Sequence, residues 1–447
     1  VLCFIFLKIR KIDCTPIIHF ISFLISFYFY RMKIINAIIM TIGDELLIGQ
    51  VIDTNSSWMA KRLNEIGICV RKRIAIGDNE NEIVDALDQE VNHADIILIT
   101  GGLGPTSDDI TKDVLCRYFN GKLLVNSEAL QNVKHLFENI YKKPVTAINL
   151  KQAEVPDICT VIQNERGSAP GMVFKKGEAL VISMPGVPYE MQGMMEKVLH
   201  FLENEFHTPT IIHKTILTSD IGESAIAELL VNFEKHLPDD IKLAYLPNHG
   251  MVRLRLSASG FDKVQINSMV NDQFNHMRKL VNDYVVTDVD ETIEIVLGKL
   301  LLKNNKTIST AESCTGGAIA ALITSVPGAS VYYEGSVVSY SYAIKESMLG
   351  VKKDTLTTFG AVSEQTVIEM LQGVIGQLKT DFAIAVSGIL GPGGGTDDKP
   401  VGTVWVAVGN KDRFKTQLFH LRYDRKKNTE VISTNAINMM RKFILEK

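Results

Sequence analysis

The sequence predicts an α/β protein in which two α/β domains are separated by a small α+β module. Three observations support this fold class. Apolar runs of strand length alternate with segments of helical period from residue 33 onward, two of these runs lead into glycine-rich loops, and residues 208–286 lack the alternation. The order strand, glycine-rich turn and helix is typical of nucleotide-binding α/β domains.

The first α/β domain begins with the continuous apolar run 34–40, which is typical of a buried parallel strand. Met59 and Leu63 then recur at helical spacing, and Gly67 stands where such a helix would end. A second buried strand is predicted over Ile96–Thr100, directly before a glycine-rich loop. These elements predict a parallel sheet covered by helices.

The middle module has a different pattern. Strands are predicted over 215–218 and 252–258, the second because apolar and polar residues alternate along it. Between them we expect a helix with Ala225, Leu229 and Phe233 on its buried face.

The second α/β domain returns to alternating strands and helices, with a glycine-rich loop over 388–402. The predicted helices are 293–303, 318–325 and 363–378, and the predicted strands are 307–311, 335–340, 382–387 and 403–408.

The composition is that of an ordinary globular chain. Of its 447 residues 46% are apolar and 22% charged, and the net charge of −4 gives no overall attraction to nucleic acid or to anionic membrane. Its six cysteines form no C-x-x-C pair and no metal-ligand spacing, which argues against a disulfide framework and a structural zinc site. We therefore expect a cytoplasmic protein.

Residues 1–32 do not fit this pattern. Residues 17–30 are strongly apolar, but this run is shorter than the ~20 residues that span a bilayer as a helix. No small-residue cleavage site follows it, and the first strand begins just after Met32. We interpret the segment as an upstream translated extension with Met32 as the working start, and a signal anchor is the alternative.

The loop after the strand at 96–100 is a candidate phosphate-binding site. Glycines leave backbone N–H groups free to face a phosphate, and the following helix adds the positive end of its dipole. The predicted phosphate-binding residues of this loop are Gly101, Gly102, Gly104, Pro105 and Thr106.

Asp108 and Asp109 follow this loop. Two adjacent carboxylates at a helix start can hold a divalent cation beside a bound phosphate, although they could also serve only as a helix cap and dipole complement. Gly43, Glu45 and Asn55 are assigned to the same site, because they follow the first strand and open α/β sheets bind ligands at that edge.

In the second α/β domain the candidate nucleophile is Ser313, which lies where a strand meets the start of a helix. Backbone N–H groups around such a hydroxyl suit an oxyanion hole, and a helix-capping serine is the structural alternative. His420 is the one histidine after residue 291, so a Ser-Lys arrangement is favoured over a Ser-His-Asp triad.

Lys345 is the candidate base, at the exit of a strand and the start of a helix. A lysine desolvated in a pocket can lose its proton near neutral pH, and Tyr340 could relay that proton or donate to the developing anion. A solvated helix residue is the alternative for Lys345. Cys314 is an alternative nucleophile, because a thiol at a helix start can have a lowered pKa.

Four segments of the first domain resemble the CinA family, also called competence/damage-inducible protein A. They are GDELLIGQVIDTN (43–55), TGGLGPTSDD (100–109), GSAPGM (167–172) and MPGVPYEM (184–191). The resemblance implies that residues 33–206 form a three-layer, molybdopterin-binding-like domain. It also implies an ADP-ribose pyrophosphatase that depends on a divalent metal cation.

The middle module, residues 207–288, is similar to the KH-like insert of the same family. RNA-binding KH domains clamp the RNA backbone with a GXXG loop, and this module has no such loop. A spacer or a homodimer contact is therefore favoured over RNA binding.

Four segments of residues 289–447 resemble the C-terminal domain of this family. They are AESCTGG (311–317), SYSYAIK (339–345), SGILGPGGGTDDKPVGTVW (387–405) and YDR (423–425). That domain also occurs alone as nicotinamide-mononucleotide amidohydrolase, so the resemblance implies hydrolysis of the carboxamide to nicotinic acid mononucleotide and ammonia, without a cofactor. Ser313 would be the nucleophile, and Lys345 with Tyr340 would move the proton.

The same resemblance implies a set of substrate-binding residues around this nucleophile. They are Thr315, Gly316, Gly317, Gly393, Gly394, Gly395, Thr396 and Arg425. The chain departs from the family pattern at Tyr342, where the family more often has Asn, which puts the orientation of the substrate or of Lys345 in doubt.

We therefore expect an enzyme of pyridine-nucleotide salvage. Its partners would be small-molecule nucleotides and a second copy of the chain, with no membrane and no nucleic acid. The alternatives are a molybdopterin-binding protein and a non-catalytic interaction protein of competence or DNA damage.

Overall fold

The computed structural model describes residues 33–446, so the interpretation of residues 1–32 lies outside the described residues. These residues form two compact units: residues 33–212 with 258–267, and residues 213–257 with 268–446. Within this part of the chain, every helix is too short or too polar to cross a membrane.

The first unit is built on a six-stranded sheet with strand order 2-1-3-8-7-6 and a small two-stranded ribbon of strands 4 and 5. Strands 2, 1, 3 and 8 are parallel, and strands 8, 7 and 6 are antiparallel. The strands are β1 (Asn36–Ile42), β2 (Cys69–Ile76), β3 (Ile96–Thr100), β4 (Leu123–Val125), β5 (Glu154–Pro156), β6 (Thr160–Ile162), β7 (Gly171–Lys176) and β8 (Ala179–Met184).

Helices cover both faces of this sheet. They are α1 (Asp44–Leu47), α2 (Thr54–Glu65), α3 (Glu80–Glu90), α4 (Thr111–Tyr118), α5 (Ser127–Lys134) with a π-helical extension (His135–Ile140), α6 (Ala147–Lys151) and α7 (Pro188–Glu205). Ile39 packs in one core with α2 and α7, and its neighbour Ile38 packs in another core with α3 and α4. Alternate residues of a buried strand face opposite sides, so the predicted three-layer architecture is confirmed.

The middle module is a four-stranded sheet of order 10-11-9-12 with two main helices. Its elements are β9 (Thr210–Ser219), α8 (Glu223–Lys235), β10 (Ile241–Asn248), β11 (Met251–Gly260), α9 (Lys263–Leu280), a 3₁₀ turn (Asn282–Tyr284) and β12 (Val285–Thr287). Strand β10 and helix α9 were not predicted.

The prediction of which residues of α8 face the core is wrong by one position for two of the three residues. Ile226 and Leu230 are buried together with Phe233, whereas Leu229 is 43% exposed and Ala225 is also exposed. Both sets have helical spacing, and the helix buries the face that carries the larger apolar area.

The last domain has a five-stranded sheet of order 14-13-15-16-17, parallel over its first three strands and antiparallel beyond them. The strands are β13 (Ile308–Glu312), β14 (Tyr333–Val338), β15 (Phe382–Gly388), β16 (Thr403–Gly409) and β17 (Phe414–His420). The helices are α10 (Ile293–Asn304), α11 (Ala318–Thr324), α12 (Tyr342–Leu349), α13 (Lys353–Phe359), α14 (Glu364–Leu378) and α15 (Arg425–Leu445).

The two faces of this sheet differ in the size of their side chains. Ile308, Val386 and Val404 pack in a core with α10, α11 and α15. The opposite face carries Ala311 and Ala385 and packs with α14. Helices on both faces leave the carboxyl ends of β13 and β14 as the place where polar side chains can meet.

Candidate active sites

Ser313 lies at the carboxyl end of β13, in the turn before α11. Its N–H donates to the carbonyl of Val386 at 3.0 Å, which continues the pairing of β13 with β15 by one residue. The side chain is buried, with 8% of the residue exposed. The strand therefore fixes the backbone of the candidate nucleophile directly.

Lys345, in the first turn of α12, is in contact with this serine. Its Nζ donates to Ser313 Oγ at 2.9 Å and to the carbonyl of Ser339 at 2.6 Å. Only 1% of Lys345 is exposed, and this burial lowers the pKa of its ammonium group to about 8. The structure thus brings the predicted nucleophile and base together, with a lysine that releases its proton near neutral pH.

Glu312, which sequence reasoning missed, shapes the turn that carries the nucleophile. Its fully buried carboxylate accepts hydrogen bonds from Thr315 Oγ1 at 2.7 Å and from the N–H groups of Gly317, Ile319 and Ala320 at 3.0, 3.1 and 2.8 Å. These are donors that the start of α11 leaves without an intrahelical partner. The hydroxyl of Thr315 and the N–H of Gly317, two residues predicted to bind substrate, are therefore bonded to Glu312.

Fewer N–H groups around the nucleophile are free than expected. The N–H of Gly316 donates to the carbonyl of Ser313 at 3.2 Å, and that of Ser313 is used in the sheet. Among the hydrogen bonds of residues 33–446, none to another residue uses the N–H groups of Cys314 and Thr315, and the N–H of Cys314 contacts only its own thiol. These two groups are the donors that the turn can offer to an oxyanion.

Tyr340 lies beyond the end of β14 and is 64% exposed. Its hydroxyl accepts a hydrogen bond from Arg425 Nη2 at 3.0 Å, and Arg425 Nη1 donates to the carbonyl of Gly391 at 2.8 Å. The structure therefore joins Tyr340 to Arg425 rather than to Lys345.

The predicted substrate loop, Gly393 to Thr396, is exposed. Thr396 is tied to the same loop: its N–H donates to the carbonyl of Lys399 at 2.9 Å, and its hydroxyl accepts from the N–H of Lys399 at 3.1 Å. No contact joins this stretch to Ser313 among the described hydrogen bonds, and Gly391 is the loop residue that touches Arg425.

Two remaining expectations concern neighbours of the pair. Cys314 is buried, and burial raises the pKa of its thiol to about 12, so little thiolate is present at neutral pH. This counts against Cys314 as the nucleophile. The hydroxyl of Tyr342 accepts from the N–H of Ala361 at 3.3 Å.

In the first unit, the glycine loop is folded as only glycine allows. Gly101 and Gly102 have φ of 114° and 64°. A Cβ on Gly101 would lie 2.1 Å from the carbonyl oxygen of Ile42, and one on Gly102 would lie 2.1 Å from Thr111 Oγ1. The loop can approach β1 this closely because it has no side chains there.

This loop lines a cavity of 480 Å³. The predicted residues that line it are Gly43, Glu45, Gly101, Gly102, Gly104, Pro105, Asp108 and Asp109. Thr106 and Asn55 are not in the lining, but Asn55 donates through Nδ2 at 2.7 Å to the carbonyl of Gly186, which is a lining residue.

Asp109 holds the loop rather than standing free. Its carboxylate accepts from the N–H of Gly104 at 2.8 Å, from the N–H of Thr106 at 3.0 Å and from the Thr106 hydroxyl. Neither aspartate caps α4, which begins only at Thr111. Within the described part of the chain, no three acidic, His or Cys side chains converge closely enough to hold a metal ion.

Asp78 and Glu190 are carboxylates of this cavity that sequence reasoning missed. Burial raises the pKa of Asp78, and the carboxylates of Glu45 and Asp108 raise it further. Burial also raises the pKa of Glu190. Asp78 follows the carboxyl end of β2, so the sheet-edge rule that selected Glu45 could have found it.

The folds and sites together define a class: a multidomain α/β protein with a carboxylate-lined glycine-loop cavity in its first domain and a buried serine–lysine pair in its last. Family models match the three parts in order. They are the probable molybdopterin binding domain over 38–204, the damage-inducible protein CinA KH domain over 213–287 and the CinA C-terminal domain over 290–444. The chain belongs to the CinA family.

Curated relatives match over nearly their whole length. A CinA-like protein of Flavobacterium psychrophilum is 46% identical, covering 92% of this chain and 99% of the relative. One of Cytophaga hutchinsonii is 42% identical over the same shares. Among solved structures, a CinA superfamily protein from Klebsiella pneumoniae is 32% identical and covers 35% of this chain and 97% of its own, with a TM-score of 0.34.

Proposed function

We propose that the C-terminal domain is an amidohydrolase that acts on nicotinamide mononucleotide. The observation that carries this proposal is the 2.9 Å contact between Lys345 Nζ and Ser313 Oγ inside the protein. A serine becomes a nucleophile when an adjacent base takes its proton, and a lysine with a pKa near 8 is in its neutral form in about a tenth of the molecules at pH 7.

The proposed reaction begins with a proton transfer from Ser313 Oγ to neutral Lys345 Nζ. The serine oxygen attacks the carboxamide carbon, and the N–H groups of Cys314 and Thr315 donate to the oxygen that becomes negative. Lys345 returns the proton to the leaving nitrogen, so ammonia departs and an ester remains on Ser313. Water, deprotonated by the same lysine, then attacks the ester carbon. The bond from that carbon to Ser313 Oγ breaks, the acid is released, and Lys345 returns the proton to Ser313 Oγ.

Arg425 supports the choice of a phosphorylated substrate. Its guanidinium is held between Tyr340 and the carbonyl of Gly391, and both of these partners are neutral. A guanidinium forms stronger, paired hydrogen bonds with phosphate. We propose that Arg425 binds the 5′-phosphate, with Tyr340 positioning the arginine.

The test is ammonia release by the full chain from nicotinamide mononucleotide and from nicotinamide riboside, which lacks the phosphate. We expect release from the mononucleotide and much weaker release from the riboside. The variant Arg425→Ala should lose the preference between them, while Arg422→Ala, at a nearby exposed arginine, should keep it. Release from neither compound contradicts the proposal.

A second candidate function, hydrolysis of ADP-ribose, is favoured by one observation on the first unit. Its cavity combines a glycine loop with five carboxylates, Glu45, Asp78, Asp108, Asp109 and Glu190. A pyrophosphate would be repelled there unless a cation lay between the charges. Carboxylate oxygens suit Mg²⁺, which proteins often hold by one or two carboxylates together with substrate phosphates.

The side chains in this cavity have the right chemistry for a cation that is shared with the substrate, because carboxylates are present. Within the described residues they do not form a complete metal site by themselves. Asp108 would hold the cation, while Asp109 keeps the loop in place. The cation would neutralise the phosphates and polarise the bond that water attacks. The test is ADP-ribose hydrolysis by Asp108→Asn, with the exposed Asp85→Asn of the same domain as control. Equal loss in both variants contradicts the role of Asp108.

A further inference from the structure

The second compact unit contains a cavity where the KH-like sheet meets the C-terminal domain. We call this cavity the module cleft. Its volume is 480 Å³. Leu217 of β9, Met251 of β11 and Ile293 of α10 line it and are buried in one continuous core. Ala321 and Leu322 of α11 line it as well. Neither Ser313 nor Lys345 belongs to its lining.

The size and the walls of the module cleft are those of a small-molecule site. Binding pockets for drug-sized ligands measure roughly 300–1,000 Å³ and are mainly apolar, with a few polar groups that fix orientation. Leu217, Met251 and Ile293 give the cleft an apolar wall. Leu322 also lines it and is partly exposed, so its side chain is accessible to a ligand.

Ser433 of α15 provides an unpaired polar group in this lining. It is fully buried, with 0% exposed, and within the described residues its hydroxyl has no hydrogen-bond partner. Buried hydroxyls in folded proteins are normally satisfied, because leaving one unpaired is costly. A ligand atom that bonds to Ser433 Oγ would remove this cost.

The charged side chains of the cleft exclude a phosphorylated ligand. Arg253 is paired with Asp290 and donates to the carbonyl of Glu291 at 3.0 Å. Glu430 accepts from His249 Nε2 at 3.1 Å. Glu294, which also lines the cleft, adds a negative charge that disfavours an anion.

We propose that the module cleft is a binding site for an uncharged, mainly apolar small molecule with one hydrogen-bonding group that reaches Ser433. The site is separate from the nucleotide site proposed at Arg425. Two helices that line the cleft also carry parts of the proposed nucleotide site at their N-terminal ends. Helix α11 follows the turn of Ser313, and α15 begins with Arg425.

The test is a fluorescence titration of the full chain with N-phenyl-1-naphthylamine, an uncharged apolar probe with a single N–H group. We expect saturable binding of one probe per chain. The variant Ala321→Phe fills the cleft from an exposed helix position and should weaken binding by about tenfold or more. The control Thr324→Phe, an exposed residue on the same helix outside the lining, should bind like the wild type.

Ser433→Ala separates the hydroxyl from the shape of the cleft and should weaken probe binding by roughly two- to tenfold, as expected for one hydrogen bond. Inorganic phosphate, which targets Arg425, should leave probe binding unchanged. The proposal is overturned if the wild type shows no saturable binding, or if Ala321→Phe binds as tightly as Thr324→Phe. Unchanged binding in Ser433→Ala, or displacement by phosphate, would also overturn it.

Discussion

The two candidate active sites of this chain are built in opposite ways. In the C-terminal domain, two reactive side chains, Ser313 and Lys345, are buried and touch each other. In the N-terminal domain, backbone groups and five carboxylates surround an open cavity, and one of those carboxylates, Asp109, is used to hold the loop. For the proposed amide hydrolysis the first site has its reacting groups in place, whereas the described lining of the second contains no lysine or arginine to face the phosphates of ADP-ribose.

This difference teaches where the chemistry of each site has to come from. A desolvated lysine supplies its own basicity through burial, so the C-terminal site needs no metal or cofactor in the proposed reaction. In the proposed hydrolysis of ADP-ribose, the N-terminal site would depend on a cation that arrives with the substrate. The two proposed activities should therefore respond differently to the same perturbations.

The largest contrast is expected from Lys345→Met. Removing the base should lower ammonia release by about 10³-fold or more, because within residues 33–446 Lys345 Nζ is the side-chain group that contacts Ser313 Oγ. ADP-ribose hydrolysis by the same variant should be unchanged. Lys353→Met, at an exposed lysine of α13, is the matched control, and a comparable loss in that variant would show that the effect is not specific.

A chelator should separate the two activities in the other direction. EDTA is expected to lower ADP-ribose hydrolysis by about 10²-fold or more, because the carboxylates then face the phosphates without a cation, and added Mg²⁺ should restore it. Ammonia release, measured in the same samples, should be unaffected. Loss of ammonia release in EDTA would contradict a metal-free C-terminal reaction.

The pH dependence should sharpen the comparison further. In the proposed reaction the neutral form of Lys345 is the base, and burial lowers the pKa of its ammonium group to about 8. The value of kcat/KM for ammonia release should therefore rise about tenfold per pH unit below pH 8 and level off above it. A profile that is flat between about pH 6 and pH 9 would argue against lysine as the base.

The smallest effect concerns stability. Folded Lys345 releases its proton near pH 8, whereas an unfolded lysine holds it to about pH 10.4. Between these values the unfolded state binds more protons, so raising the pH favours the folded state. From about pH 7 to pH 10 the wild type should gain on the order of 1–3 kcal/mol relative to Lys345→Met. Urea unfolding at the two pH values measures this, and a parallel change in both proteins would contradict it.

The sequence predicted the α/β layers from short-range pattern, and the serine–lysine pair from such pattern together with four ordered family motifs. Apolar runs identify β3 and β15. The positions at the ends of strands made Ser313 and Lys345 candidates, and the resemblance to the CinA family favoured them over a helix cap and a solvated lysine. The contact between them needed the structure, since residues 313 and 345 are brought together by the pairing of β13 with β14.

Two of the features that the sequence did not reveal depend on hydrogen bonds between side chains and backbone N–H groups. Glu312 was passed over because its partners are N–H groups of the following helix. Asp109 was assigned to a metal because its bonds to the backbone N–H groups of the preceding loop are not visible in the sequence. Tyr340 was placed at the end of a strand that in fact stops at Val338, and its hydroxyl meets Arg425.

The central claim, that Ser313 activated by Lys345 performs amide hydrolysis, is tested most directly by comparing two neighbouring residues. Ammonia release from nicotinamide mononucleotide should fall by about 10³-fold or more in Ser313→Ala. In Cys314→Ala it should stay within about threefold of the wild type, because burial keeps that thiol protonated. Activity that survives the serine change and is lost with the cysteine change would contradict the claim.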